Sequence, residues 1–224
     1  MFVRPAFLLA IAVAAPAQSG NGAVDRILKQ LAGVRQFRQV AVAPDAGRLA
    51  WVEETRGDSN VAAGNGAIYM LDLKSGDAAP RRVTAGLGDA ACAEHSVAWS
   101  PASNAVAFVS NCADKTQPQI YLARDGGGPA RRLTSVRGTL ANPRWSPDGR
   151  QLAVLSIAAR EPRPNARPGV VVRGEIDHQR LCTVDPASGR LRQVSPPDLF
   201  VHEYDWSPDG RQFVFTAAPG PGSD

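Results

Sequence analysis

Apolar residues come in short runs along most of the chain, with Gly, Pro, Asp or Asn between them. Four of these runs line up on a proline: Val40 to Trp51 about Pro44, Val97 to Phe108 about Pro101, Arg144 to Val154 about Pro147, and Tyr204 to Phe215 about Pro208. Five residues after each proline stands Leu49, Val106, Leu152 or Phe213, and two further on stands Trp51, Phe108, Val154 or Phe215. Between them lies Ala50, Ala107, Ala153 or Val214. Short runs rich in Val, Phe and Trp, bounded by turn residues, predict the two strands of a β-hairpin. Three apolar residues in succession on the second strand predict a strand covered on both faces.

The proline marks the turn. In Ser146-Pro147-Asp148-Gly149 and Ser207-Pro208-Asp209-Gly210, proline presets φ, Asp bonds back to the backbone, and Gly takes the left-handed conformation. The first two repeats have Gly47 and Asn104 one place later than that glycine. Both residue types tolerate positive φ, which predicts a changed loop type there.

A second strand pair follows each of the first three hairpins. Ala67–Leu73, Gln119–Ala123 and Arg180–Asp185 lead through turns at Gly76, Gly126 and Gly189 to Arg81–Thr84, Arg131–Thr134 and Leu191–Ser195. Four strands in about 50 residues is the repeat of a β-propeller blade. The expected fold is therefore all-β: about four antiparallel blades in an open arc over residues 36–224. Trp99, Trp145 and Trp206 share one column and should pack between neighbouring blades. The stretch from Ala158 to Gln179 is less regular and reads as a long loop ending in a strand at Val170–Val172.

Residues 1–35 carry other patterns. Arg4, the apolar run Ala6 to Ala15 and the A-x-A sequence Ala15-Pro16-Ala17 predict a signal peptide over residues 1–17, cleaved after Ala17. The expected location is secreted or periplasmic, with no membrane span after cleavage. Within the lead-in, residues 18–35, Val24, Ile27, Leu28 and Leu31 are spaced for one amphipathic helix of about three turns.

Composition narrows the chemistry. The 21 Gly and 18 Pro are too many for a helical bundle, and three His and three Cys offer little material for metal clusters. His95, His178 and His202 are never three or four apart, and Trp206 stands where a zinc motif beginning at His202-Glu203 needs its second histidine. His202 is expected to cap the start of the fourth hairpin. No phosphate-binding glycine loop or calcium loop is present, so no cofactor and no metal ligand is assigned. The net charge of +4 comes with arginines that recur by repeat, such as Arg81-Arg82 and Arg131-Arg132. That placement reads as solvated edge charge that discourages aggregation, not as a nucleic-acid face.

The cysteines fit an oxidising compartment. If Trp99 faces Ala105, Cys92 and Cys112 lie opposite one another and within disulfide reach. Cys182 replaces an apolar strand residue and is expected to be a buried free thiol.

The Trp-Ser-Pro-Asp-Gly-Arg repeats resemble the propeller repeats of TolB-like proteins and of the prolyl oligopeptidase family, including its secreted dipeptidyl-peptidase and acylaminoacyl-peptidase types. The resemblance covers most of residues 24 to 218. Gln179 to Gly189 followed by Val201 to Gly210 looks much like the mid-propeller region of those enzymes. In that family an α/β-hydrolase domain carries a Ser-Asp-His triad with Ser on a Gly-x-Ser-x-Gly elbow. Here no serine has Gly both two places before and two places after it, and the sequence stops at Asp224 just past the fourth hairpin. The resemblance therefore implies a non-catalytic propeller segment, truncated before the catalytic domain. In the family that segment limits access to peptides of restricted size, so a hydrolase domain would be its partner in a longer parent chain. The rival reading is a stand-alone TolB-like periplasmic propeller that binds protein or peptide. A sugar-binding or lyase-type propeller is a third.

Overall fold

A computed structural model describes residues 36–56, 62–76, 78–85, 92–159 and 177–222. All belong to one compact unit, Arg35–Asp224. The signal peptide, the lead-in helix and the strand expected at Val170–Val172 lie outside the described residues.

The described chain is all-β. The first sheet contains β1 (Phe37–Val42), β2 (Arg48–Arg56), β3 (Ala62–Asp72) and β4 (Arg81–Val83), paired in that order. The second contains β5 (Glu94–Trp99), β6 (Ala105–Ser110), β7 (Gln119–Arg124) and β8 (Arg131–Arg132). The third contains β9 (Gly138–Trp145), β10 (Leu152–Ala158), β11 (Arg180–Val184) and β12 (Leu191–Gln193). The fourth has two described strands, β13 (Phe200–Trp206) and β14 (Phe213–Ala218). Every pairing is antiparallel. These are the blades of an open β-propeller.

Strand period explains why the second strands are apolar without alternation. Successive side chains point to opposite faces. On β6, Val106 and Phe108 join the core shared with the first blade, while Ala107 and Val109 join the core shared with the third. On β10, Leu152 and Val154 face the second blade, and Ala153 and Leu155 face the fourth. Each of these strands serves two interfaces, so a polar residue on either face would be buried without a partner.

The tryptophan column fixes how blades meet. Trp99 Nε1 donates to Ala41 O, Trp145 Nε1 to Ala98 O, and Trp206 Nε1 to Arg144 O, each at 3.1 Å. Each acceptor is the last residue but one of the preceding blade's first strand. Tyr204 adds a bond of its own, donating its hydroxyl to Ala153 O at 2.8 Å.

The hairpin turns depart from the sequence expectation. Gly149 and Gly210 have φ of 71° and 68°, as expected, but in the first two blades the left-handed position falls on Ala46 (φ 52°) and Ser103 (φ 56°), not on Gly47 or Asn104. The reason is the hydrogen-bond frame, which is the same in all four turns. Ala46, Ser103, Gly149 and Gly210 each donate N–H to the carbonyl three residues back, at 2.8 to 2.9 Å. The frame keeps its loop type and the local residue accepts the strained φ.

The arginine reading also changes. Arg81 donates Nη2 to Asp125 O at 3.3 Å, and Arg131 donates Nη2 to Pro186 O at 2.8 Å, each across to the next blade. These exposed charges also tie the blades together.

Two substitutions test this account by chemical denaturation. Ala46→Gly should stabilise the protein by about 0.5–1 kcal/mol by relieving the left-handed φ. Trp145→Phe keeps most of the apolar area but deletes the donor to Ala98, and should cost about 1–2 kcal/mol.

Candidate functional site

The first strands of the blades share an irregularity. β5 pairs with β6 as His95↔Val109 and then as Ala98↔Ala107, so two residues on β5 oppose one on β6. β9 does the same against β10, between Ala141↔Leu155 and Arg144↔Ala153. These are β-bulges, which bend a strand and re-aim its side chains. Ser96 (φ 59°) and Asn142 (φ 49°) occupy the left-handed positions of the two bulges. Each stands three residues before its blade's tryptophan.

A groove of about 440 Å³ runs over these bulges, lined by Arg38, Gln39, Ser96, Val97, Asn142 and Arg144 among others. Gln39 stitches its floor. Its amide donates to Val97 O at 3.0 Å and accepts from Val97 N at 2.9 Å, satisfying both backbone groups that the bulge takes out of the ladder. Arg38 pairs with Glu54 at 3.0 Å and Arg144 with Asp205 at 3.1 Å, and both guanidiniums remain more than half exposed. The groove therefore offers two guanidiniums and the side-chain amide of Asn142. This chemistry suits recognition of an extended peptide or of a carboxylate.

His95 Nδ1 lies 2.8 Å from Ser96 Oγ. Desolvation holds the imidazole below the usual histidine pKa. Among the described residues no acid hydrogen-bonds this imidazole to orient it, as a nucleophilic triad requires. His202 lies within β13, its ring 5.0 Å from Phe200, so it does not cap the start of the hairpin. His178 is half-buried just before β11, and the structure does not bring the three histidines together. Among the described residues no cluster of three His, Cys, Asp or Glu could hold a metal ion.

The cysteine geometry has a different origin from the one expected. Trp99 faces Val106, not Ala105, which alone would put Cys92 and Cys112 out of step. The bulge at Ser96 restores the register, so that Glu94 faces Ser110. The two sulfurs then lie 2.05 Å apart, with Cα atoms 4.9 Å apart. Beside them Glu94, fully buried, accepts hydrogen bonds at 2.8 Å from Thr84 Oγ1 and Ala85 N. Burial pushes its carboxyl above the usual range. Cys182 is buried against the second blade, and burial pushes its thiol up to about 11.

Sequence reasoning missed Gln39, Ser96, Asn142 and Glu94. Bulges leave no composition signal. A polar residue three places before the column tryptophan, present at Ser96 and Asn142, was the one available trace.

If the Cys92–Cys112 bridge forms, peptide mapping without reductant should recover those two residues linked and Cys182 as a thiol. Cys112→Ala should then cost about 3 kcal/mol, the chain-entropy value for a loop of this size.

No family model matches the chain. Curated proteins do resemble it in sequence. It is 26% identical over 201 residues to the uncharacterized peptidase YuxL of Bacillus subtilis, covering 78% of this chain and 28% of that one. It is 27% identical over 104 residues to dipeptidyl-peptidase 5 of Porphyromonas endodontalis, covering 46% of this chain and 13% of that one. The chain thus spans less than a third of the relatives it matches. Among solved structures, the acylaminoacyl peptidase of Pyrococcus horikoshii superposes with a TM-score of 0.60 at 15% identity, over 88% of this chain and 30% of that one. The TolB of Agrobacterium tumefaciens superposes with a TM-score of 0.57 at 22% identity, over 84% and 57%. By sequence the chain's homologues are peptidases, and by fold its blades are those of the TolB and acylaminoacyl peptidase propellers.

Proposed function

We infer that the chain is the non-catalytic propeller segment of a prolyl-oligopeptidase-like serine peptidase, exported from the cytoplasm, and that its first strands restrict which peptides reach a hydrolase domain. One observation carries the reading. The homologues are peptidases, yet the match takes in only 28% and 13% of their lengths, and no Gly-x-Ser-x-Gly occurs in the segment matched. The groove supports it with Arg38 and Arg144, whose guanidiniums stay more than half exposed beside their Glu54 and Asp205 partners. Export rests on the cleavage pattern at Ala15–Ala17 and on the paired cysteines.

The larger share of the TolB structure that is covered, 57% against 30% of the peptidase, favours a second reading. In it the chain is a stand-alone periplasmic propeller that binds a protein or peptide.

Fluorescence anisotropy with labelled peptides of graded length tests the first reading. Short peptides with a free carboxylate should bind, and Arg38→Ala or Arg144→Ala should weaken them by roughly tenfold each with the fold unchanged, the value of a charged hydrogen bond. The protein should not react with a fluorophosphonate serine probe. Labelling that maps to one serine and vanishes on its change to Ala would refute the non-catalytic role. Binding to a folded protein with none to short peptides would select the second reading.

A further inference from the structure

The interface between the second and third blades repeats that between the first and second, except at one cluster of charges. In the first interface Arg48 lies across the column tryptophan, its Cζ 5.7 Å from the centre of the Trp99 ring. Its guanidinium pairs with Asp125 of the second blade and with Asp45 of its own, the latter at 3.3 Å. Arg48 stands just before Leu49, and Ala105 holds that place before Val106. Both carboxylates are replaced as well. Ala102 follows Pro101 where Asp45 follows Pro44, and Pro186 stands five residues after Leu181 where Asp125 stands five after Ile120. The cation and its two anions are lost together.

Their loss opens a cavity. Around Arg48, beside Met70, Asp72 and Arg81, the open space is about 270 Å³. The matching place around Ala105, beside Leu122, Arg124 and Arg131, holds about 590 Å³. The two places correspond strand by strand. Arg48 faces Asp72 as Ala105 faces Arg124, and Met70 faces Arg81 as Leu122 faces Arg131. The larger volume lies within the roughly 300–1,000 Å³ usual for small-molecule sites. Trp145 lines it and is only partly buried, whereas Trp99 beneath Arg48 is 8% exposed.

The charge is reversed too, since Arg124 takes the place of Asp72. Arg124 is exposed, and its side chain has no hydrogen bond or ion pair among the described residues. Arg131 spends one Nη2 bond on Pro186 O. Asp148, the acid among the lining residues, already accepts from Ser146 Oγ at 2.6 Å and from Arg150 N at 3.0 Å. Two guanidiniums against one engaged carboxylate attract an anion and repel a cation. The indole of Trp145, with Pro101, Leu122 and Pro186 as apolar walls, favours a flat ring.

We propose that the cavity between the second and third blades binds an aromatic carboxylate, its ring against the Trp145 indole and its carboxylate on the Arg124 guanidinium. A free aromatic acid has this chemistry, and so does the C-terminal aromatic residue of a peptide. The cavity shares no lining residue with the groove over the bulges, so the site stands independently of the function proposed above.

Isothermal titration calorimetry on the full chain tests the site, with hydrocinnamate as the free acid and Ala-Ala-Phe as the peptide end. At least one should bind, and the tighter of the two identifies the source of the carboxylate. Arg124→Ala should weaken that ligand by roughly tenfold, and the uncharged hydrocinnamide or Ala-Ala-Phe amide should lose about as much. Ala105→Arg returns the side chain that fills the first interface, and should abolish binding without lowering Tm. Arg124→Ala changes an exposed side chain and carries the test even if Ala105→Arg does not fold. The proposal is overturned if neither ligand binds, if the amides bind as tightly as the acids, or if the Arg124→Ala protein keeps full affinity. It is also overturned if the loss follows Arg38→Ala in place of Arg124→Ala, which would put the carboxylate in the groove over the bulges.

Discussion

An indole N–H enclosed between two sheets is stabilised by an acceptor there, because a buried donor left unpaired costs more than the bond gains on net. Of the four tryptophans only Trp51, in the first blade, leaves its N–H without one. Trp99, Trp145 and Trp206 each find the same one, a carbonyl near the end of the preceding blade's first strand. That bond sets both the separation and the rotation of adjacent sheets, because a shift along the strand would trade the carbonyl for a neighbouring N–H. The apolar contacts follow from it. Once two blades are held in this register, Phe108 and Val97 sit in the first interface, and Val109 and Leu140 in the second. The same register stacks the turns, with Gly149 against Pro101 and Gly210 against Pro147. Glycine serves twice there, for its positive φ and because the neighbouring proline approaches where a side chain would stand.

The repeat is stricter in its hydrogen bonds than in its residues. Ala46 and Ser103 accept a conformation that costs an L-residue energy, because the bonds closing the turn and the strand ladder beside it resist any change of loop type. Ser103 recovers part of that cost, since its hydroxyl accepts a bond from Asp45 N at 3.0 Å in the preceding blade. Thr84, Thr134 and Ser195 likewise hold one place at the outer strand, but their partners differ. Thr134 works with Gln119 inside its own blade, and Thr84 with Glu94 of the next. The buried carboxylate of Glu94 is one of several ways to fill a polar site that the architecture repeats.

The groove owes its chemistry to the bulges. A regular β5 would direct the backbone groups of Val97 into the ladder. The bulge at Ser96 frees them, and Gln39 from the first blade takes up those of Val97. The same bulge places Cys92 beside Cys112, so one extra residue shapes the groove at one end of the hairpin and the cysteine pair at the other.

The sequence by itself determined the blades. Short apolar runs, turn residues and repeat spacing are local properties, and each of the three complete blades lies where they placed it. Doubly buried second strands were legible because burial on both faces removes polar residues from both. The Trp column was legible because one interface recurs. Three things were decided only by tertiary structure. The left-handed positions at Ala46 and Ser103 come from a hydrogen-bond frame that overrides local preference. The bulges come from fitting a first strand against two neighbours, and a single added residue leaves no mark in composition. The arginine bridges join residues 44 and 55 positions apart, such as Arg81 to Asp125 and Arg131 to Pro186, and a charge in the sequence carries no record of the carbonyl it will meet.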